Sequence, residues 1–243
     1  MDFDIVVVGA GPAGCTFASG LHGSGLRIAV VEPQDESKLR SPSFDGREIA
    51  LSQRTVDILL DYGIWPHIPR DEVSVISAAR VIDGTGTATL DFRAPKYAAG
   101  PMGRLVPNHV IRKAAFTRAR ENPDLELLDE HKAVEASPGS RRSIVKLEDG
   151  SRLTAKLVVA ADTRFSSVRQ QAGIAASMHD FGQTMLVCRM THETGHENTA
   201  WECFLYGSTI AVLPLNGDMS SIVLTLPQHL AGQWLDNRCN HTP

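Results

Sequence analysis

The chain has 243 residues, a net charge of −4 and 42% apolar residues, the balance of an ordinary globular protein long enough for one large core or two modest ones. Charges of both signs are interspersed, which excludes the clustered basic surface that nucleic acid requires. Cys15, Cys188, Cys203 and Cys239 have neither the pairing of a disulfide framework nor metal-ligand spacing, so they read as reduced thiols of a cytoplasmic protein.

The acidic amino terminus passes at once into a β-branched run, Asp4 to Val8, with no basic region and apolar core of a signal segment. No apolar run is long enough to span a membrane, so the chain is expected to be soluble, with contact at a membrane surface left open. Pro12 to Gly23 carries apolar residues at helical spacing, and Arg27 to Val31 is a second strand, giving a strand, helix, strand unit. Ser52 is placed to cap a helix through Leu60 that Gly63 stops, and Val73 to Phe92 reads as two strands around the turn Asp83-Gly84-Thr85-Gly86. A helix is predicted from about Asn108 to Arg120. Ile144 to Leu147 and Leu153 to Ala155 flank Glu148-Asp149-Gly150-Ser151, a hairpin signal whose second arm continues into Leu157 to Ala161. From Gln183 onward only strands and turns are predicted. The expected organisation is an α/β domain over 1–177 and a β-rich domain over 178–243, with strands within 73–92 joining the β-rich sheet.

The first unit contains IVVVGAGPAG, with glycines at Gly9, Gly11 and Gly14. A strand that feeds a helix through G-x-G-x-x-G presents backbone N–H groups at the helix N-terminus, where the dipole favours a diphosphate. Gly9 permits the tight turn, Gly11 lets phosphate approach the backbone, and Gly14 lets helix and strand pack closely, with Pro12 and Ala13 in the same turn. Glu32 ends the second strand, where its carboxylate can accept ribose hydroxyls and repels the extra phosphate of NADP. FAD and NAD offer the same adenosine diphosphate to such a turn, so it does not choose between them.

Two later stretches bear on the choice. Gly46-Arg47-Glu48-Ile49-Ala50-Leu51-Ser52 with the following helix resembles the segment after the second strand in the class A FAD-dependent aromatic hydroxylases, and more narrowly the ubiquinone-biosynthesis group that acts on polyprenylated phenols. LVVAADTRFSSVR, Leu157 to Arg169, resembles the second flavin motif of those enzymes, and GSTIAVLPL, Gly207 to Leu215, resembles a substrate-domain strand that faces the flavin. The matches fall in the family's order along nearly the whole chain. The resemblance implies a Rossmann-like FAD-binding domain with a β-rich substrate domain, Arg47 at the flavin's phosphate or ribityl region, Arg112 on a helix that touches the cofactor, and Asp162 at its polar middle. Asp162 also suits a cap for a helix over Thr163 to Gln171.

The sequence departs from the family in two ways. Glycines normally flank the aspartate of the second motif, whereas Ala161 and Thr163 stand there. The third motif, a GDAAH-like stretch that holds the flavin, is missing after Pro227, so the substrate domain is expected to be incomplete at the C-terminus. His192-Glu193-Thr194-Gly195-His196 spells the HExxH of zinc peptidases, which needs a helix to set both imidazoles on one face. Gly195 and the strand-like flanks predict a connection between strands with two exposed histidines, and no metal is expected.

The resemblance implies that NAD(P)H reduces bound FAD and that one oxygen atom of O2 is transferred to a phenol ring. No acid-base pair is expected, because the cofactor carries the chemistry. The implied partners are a small aromatic substrate and O2, with peripheral contact at the inner membrane and assembly as a homo-oligomer or in a biosynthetic complex left open. A flavin-linked reductase of prenyl chains, and a catalytically silent remnant that binds nucleotide or a partner protein, remain alternatives.

Overall fold

The computed structural model describes residues 2–84, 86, 88–94, 100–139, 141–205 and 207–232. Thr85 of the predicted turn and the polar tail with Cys239 lie outside them. In chain order the elements are β1 (Asp2–Val8), α1 (Pro12–Gly20), β2 (Ile28–Val31), α2 (Glu36–Arg40), β3 (Glu48–Ser52), α3 (Gln53–Asp61), β4 (Ser74–Ile76), β5 (Ala78–Asp83), β6 (Thr89–Arg93) and β7 (Gly103–Pro107). They continue with α4 (Asn108–Arg120), β8 (Leu125–Leu128), β9 (Ala133–Ser137), β10 (Ser143–Leu147), β11 (Arg152–Ala160), α5 (Ser167–Gln171), β12 (Gln183–Thr191), β13 (Thr199–Leu205), β14 (Ser208–Pro214) and β15 (Met219–Pro227). The chain divides into two compact units, one of residues 1–44, 56–69 and 109–177, the other of 45–55, 70–108 and 178–243.

The first unit is built on a six-stranded sheet in the order β8-β2-β1-β11-β10-β9. Its first four strands are parallel, and β10 and β9 add antiparallel. Central parallel strands are covered on both faces, which is why β1 and β2 read as nearly unbroken apolar runs. Val6, Val8, Val31, Val145, Leu153 and Ala155 form one buried cluster. α4 buries Val110, Ile111, Ala114, Ala115 and Ala119, the repeat of a one-sided helix. The predicted hairpin joins β10 to β11, with Gly150 at φ 87° in its turn.

The second unit contains a six-stranded sheet, β12-β15-β14-β13-β5-β6, and a three-stranded sheet, β3-β7-β4. Every pairing in the larger sheet is antiparallel except β5 with β13. Ile76, Leu105 and Leu215 are its buried cluster, with Leu213, Ala200 and Met219 packed against them.

Three local expectations change. The helix after Asp162 begins at Ser167 rather than Thr163, because Ser166 takes the N-cap and accepts the Arg169 N–H. Residues 228–232 are helical, whereas only strands and turns were predicted beyond Gln183. Segments 45–55 and 93–108, read from local pattern as part of the first domain, group with the second unit, because β3 and β4 both find their hydrogen-bonding partner in β7. Among the described residues no helix is long and apolar enough to cross a membrane.

Leu153 and Leu157 lie on the same strand at 2% and 49% exposure. Leu153→Ala is therefore expected to cost about 2–5 kcal/mol in urea unfolding. Leu157→Ala should cost no more than about 1 kcal/mol.

Candidate cofactor site

At the carboxyl ends of β1, β2 and β11 a cavity of about 410 Å³ opens. This is where an open parallel sheet exposes backbone and helix N-termini to a ligand. Gly9, Gly11, Glu32, Arg112 and Asp162 all line it. Residues far apart in the chain meet here because β1 pairs with β11 on one side and β2 on the other.

The three glycines differ in what surrounds them. Gly9 has φ 105°, and a Cβ there would strike the carbonyl of Ala161. At Gly14 a Cβ would run into the Gly9 carbonyl oxygen and crowd Val7. Gly11 has φ −70° and nothing within 4 Å of its Cβ position, so no packing within the chain requires a glycine there. α1 starts with Pro12, which has no N–H, and Cys15 N–H bonds the Gly11 carbonyl at 3.0 Å. The first-turn donors left to a ligand are those of Ala13 and Gly14. Pro12, Ala13 and Gly14 shape the turn and are not among the residues lining the cavity.

Glu32 is 7% exposed, and its carboxylate accepts the Ala10 N–H at 2.9 Å and the Gln34 N–H at 3.1 Å. The first of these bonds ties the acid to the glycine turn itself, and each oxygen retains a lone pair for a further donor. Asp162 Oδ2 accepts the Ser167 N–H at 3.0 Å, while its Oδ1 is buried with no partner among the described residues. Arg112, half-buried on α4, makes no hydrogen bond or ion pair among the described residues. Cys15 donates its thiol to the Ala10 carbonyl, and burial first, then the Glu32 charge against the opposing pull of Arg112, pushes it up to about 12. It is a packing residue rather than a nucleophile.

Sequence reasoning missed Gln34, Lys132 and Phe165, which also line the cavity. Lys132 follows β8, whose pairing with β2 brings the next loop to Glu32, and His131 N–H bonds the Glu32 carbonyl at 3.1 Å. A parallel neighbour so distant in the chain leaves no local signal. Ala161 and Thr163, the departures from glycine, do not have positive φ, so their backbone needs no glycine.

Arg47 does not line this cavity. In the second unit its guanidinium meets Asp45 through Nε at 3.0 Å and Nη2 at 2.5 Å, and its carbonyl accepts the Asn108 N–H. Asn108 also donates its side-chain amide to Asp45 at 2.7 Å. The HExxH stretch is a connection between β12 and β13 rather than a helix. Its histidines are half-buried, not exposed: His192 meets the Ser220 hydroxyl at 3.1 Å and His196 Nε2 donates to the Leu215 carbonyl at 2.8 Å. Cys15, Cys188 and Cys203 are free, and among the described residues no group of three His, Cys, Asp or Glu could hold a metal.

Residues 2–234 match the family described as FAD binding domain. The chain belongs to that family. Relatives of the chain include the ubiquinone hydroxylase UbiM of Neisseria meningitidis, 41% identical over 92% of this chain and 49% of its own length, and the ubiquinone hydroxylase UbiL of Rhodospirillum rubrum, 34% identical over 91% and 51%. The chain thus spans about half the length of these curated relatives. Two solved structures share its fold. PqsL of Pseudomonas aeruginosa, solved with 2-aminobenzoylacetate, superposes with a TM-score of 0.80 at 20% identity over 96% of this chain and 63% of that one. The p-nitrophenol 4-monooxygenase PnpA of Pseudomonas putida gives 0.79 at 18% identity over 98% and 61%.

Partial burial by itself raises the Asp45 carboxyl, and the hydrogen bonds from Arg47 and Asn108 overcome it to leave the group at about 2, below its ordinary 3.8. A depressed folded value means that this stabilisation is complete above 3.8 and is lost as the pH falls through about 2. The gap in thermal midpoint between wild type and Asp45→Asn should close across that window. A gap that does not change with pH would refute the assignment.

Proposed function

We propose that the chain is the cofactor-holding and sheet-bearing portion of an FAD-dependent hydroxylase of aromatic rings, with a phenolic ubiquinone precursor as substrate and NAD(P)H and O2 as co-substrates. Asp162 carries the reading: a carboxylate on the cavity wall with one buried oxygen lacking a donor among the described residues, beside a Gly11 position that those residues leave open. The donors and acceptors here suit FAD, with its diphosphate and two polyol stretches.

The N–H groups of Ala13 and Gly14 would receive the diphosphate at the positive end of α1. Glu32 would accept the adenosine ribose hydroxyls with its remaining lone pairs, and Asp162 Oδ1 a hydroxyl from the cofactor's middle. Arg112 and Lys132 bring positive charge to the cavity wall, and Arg47 is proposed to contact the phosphate or ribityl region through its forked donors. Bound FAD supplies the redox chemistry, taking electrons from NAD(P)H and passing one atom of O2 to the ring. The chain's own part is to hold the cofactor, orient the phenol and exclude water. A polyprenylated phenol resides in a membrane, so reaching it calls for peripheral contact with that surface.

Gly11 and Gly14 separate binding from folding. Gly11→Val should leave stability within about 0.5 kcal/mol. It should weaken FAD binding by at least about 10-fold in a fluorescence titration, because the side chain occupies the phosphate's space. Gly14→Ala should instead cost about 1–3 kcal/mol of stability through overpacking. Absence of FAD binding to the wild-type chain, or wild-type affinity in Gly11→Val, would overturn the reading.

A further inference from the structure

The second unit holds a polar cluster that the cofactor assignment does not use. Glu48 opens β3 with its side chain 1% exposed, and Arg189 of β12 closes on it. Nε and Nη2 of the guanidinium both reach the same oxygen, Oε1, at 2.9 and 2.6 Å. A forked guanidinium commonly serves both oxygens of a carboxylate. Here Oε2 is left buried with no hydrogen-bond partner among the described residues.

The sheet register supplies a second, independent observation. Arg189 stands directly across from Ser221 in the β12–β15 pairing, which sets the two side chains on one face of the sheet. Ser221 is fully buried and its Oγ also lacks a partner among the described residues. On its other side Ser221 faces Leu213 of β14, which packs on the cluster of Ile76, Leu105 and Leu215. The surroundings are therefore apolar at this end of the face.

Native chains leave few buried polar atoms unpaired, because each gives up hydration without replacement. An acceptor at the guanidinium of Arg189 and a hydroxyl directly across the sheet from the same residue are complementary to a single group that both donates and accepts. A hydroxyl is such a group, and an apolar surround suits the ring that carries it. We infer that Glu48, Arg189 and Ser221 form a recognition site for the hydroxyl of a phenol, with Glu48 Oε2 accepting the phenolic O–H and Ser221 Oγ donating to the phenol oxygen. This rests on the aromatic hydroxylase reading and names residues for its substrate. Glu48 touches the substrate, and Arg189 is a positioning residue that fixes the carboxylate. The charge-assisted bond draws the phenolic proton toward Glu48 and leaves more electron density on the oxygen and ring, which favours an electrophilic oxygen donor. A bound water offers the same hydroxyl chemistry, and the test separates the two.

Binding of p-cresol and of toluene to the whole chain is measured by calorimetry, with and without saturating FAD. The wild type is expected to prefer p-cresol by at least about 10-fold, because a site built around a hydroxyl penalises its absence. Glu48→Gln and Ser221→Ala should each bring the two affinities within about 3-fold while toluene and FAD binding stay unchanged. Ser221→Ala removes an oxygen that bonds nothing among the described residues, so it should fold as the wild type even if Glu48→Gln does not. Equal binding of p-cresol and toluene by the wild type, or an undiminished preference in Ser221→Ala, would overturn the site and leave a buried water as its occupant. Failure of FAD to bind while the preference persists would instead count against the cofactor reading alone.

Discussion

The contact on which the first unit depends is the passage of Gly9 against the carbonyl of Ala161, too close for any Cβ. Parallel pairing of β1 with β11 creates it, because Val8 and Ala160 end in register and both backbones leave the sheet side by side. The cavity follows from that departure. Two turns that diverge at the carboxyl edge of a parallel sheet leave a crevice between them, here with amide donors on one wall and Asp162 on the other. The Glu32 carboxylate then holds the Ala10 amide and keeps the first turn from relaxing into the space.

Charge is distributed in the site by position in the fold rather than by clustering along the chain. Glu32 and Asp162 come from the ends of parallel strands, while Arg112 comes from a helix and Lys132 from the loop after β8. Acceptors for hydroxyls and cations for phosphates complement the groups that alternate along an adenosine diphosphate, so the proposed site needs no basic excess in the chain. The second unit solves a different problem. There the register of β12 with β15 sets Arg189 and the buried Ser221 on one face.

Elements with strong local patterns were legible from sequence: the β-α-β unit around Gly9, Gly11 and Gly14, the helix over Asn108 to Arg120, and the hairpin at Gly150. Glu32, Arg112 and Asp162 could be named as candidates because motif spacing or family resemblance points to them. What stayed hidden depends on pairing across the chain. Lys132 gains its place only through β8 beside β2, and Ser221 meets Arg189 only through antiparallel register. The helix expected from Thr163 starts later because Ser166 is the better-placed cap, a competition between neighbouring polar residues that composition cannot settle.

The one parallel pairing in the large sheet of the second unit has a consequence for how the chain acquires its structure. β5 and β6 leave the ribosome as a finished hairpin, with Leu90 and Phe92 uncovered, long before β13 is synthesised to take the free edge of β5. During that interval the edge presents unpaired amides and carbonyls to any passing extended segment. The order of translation thus leaves this edge open until β13 emerges.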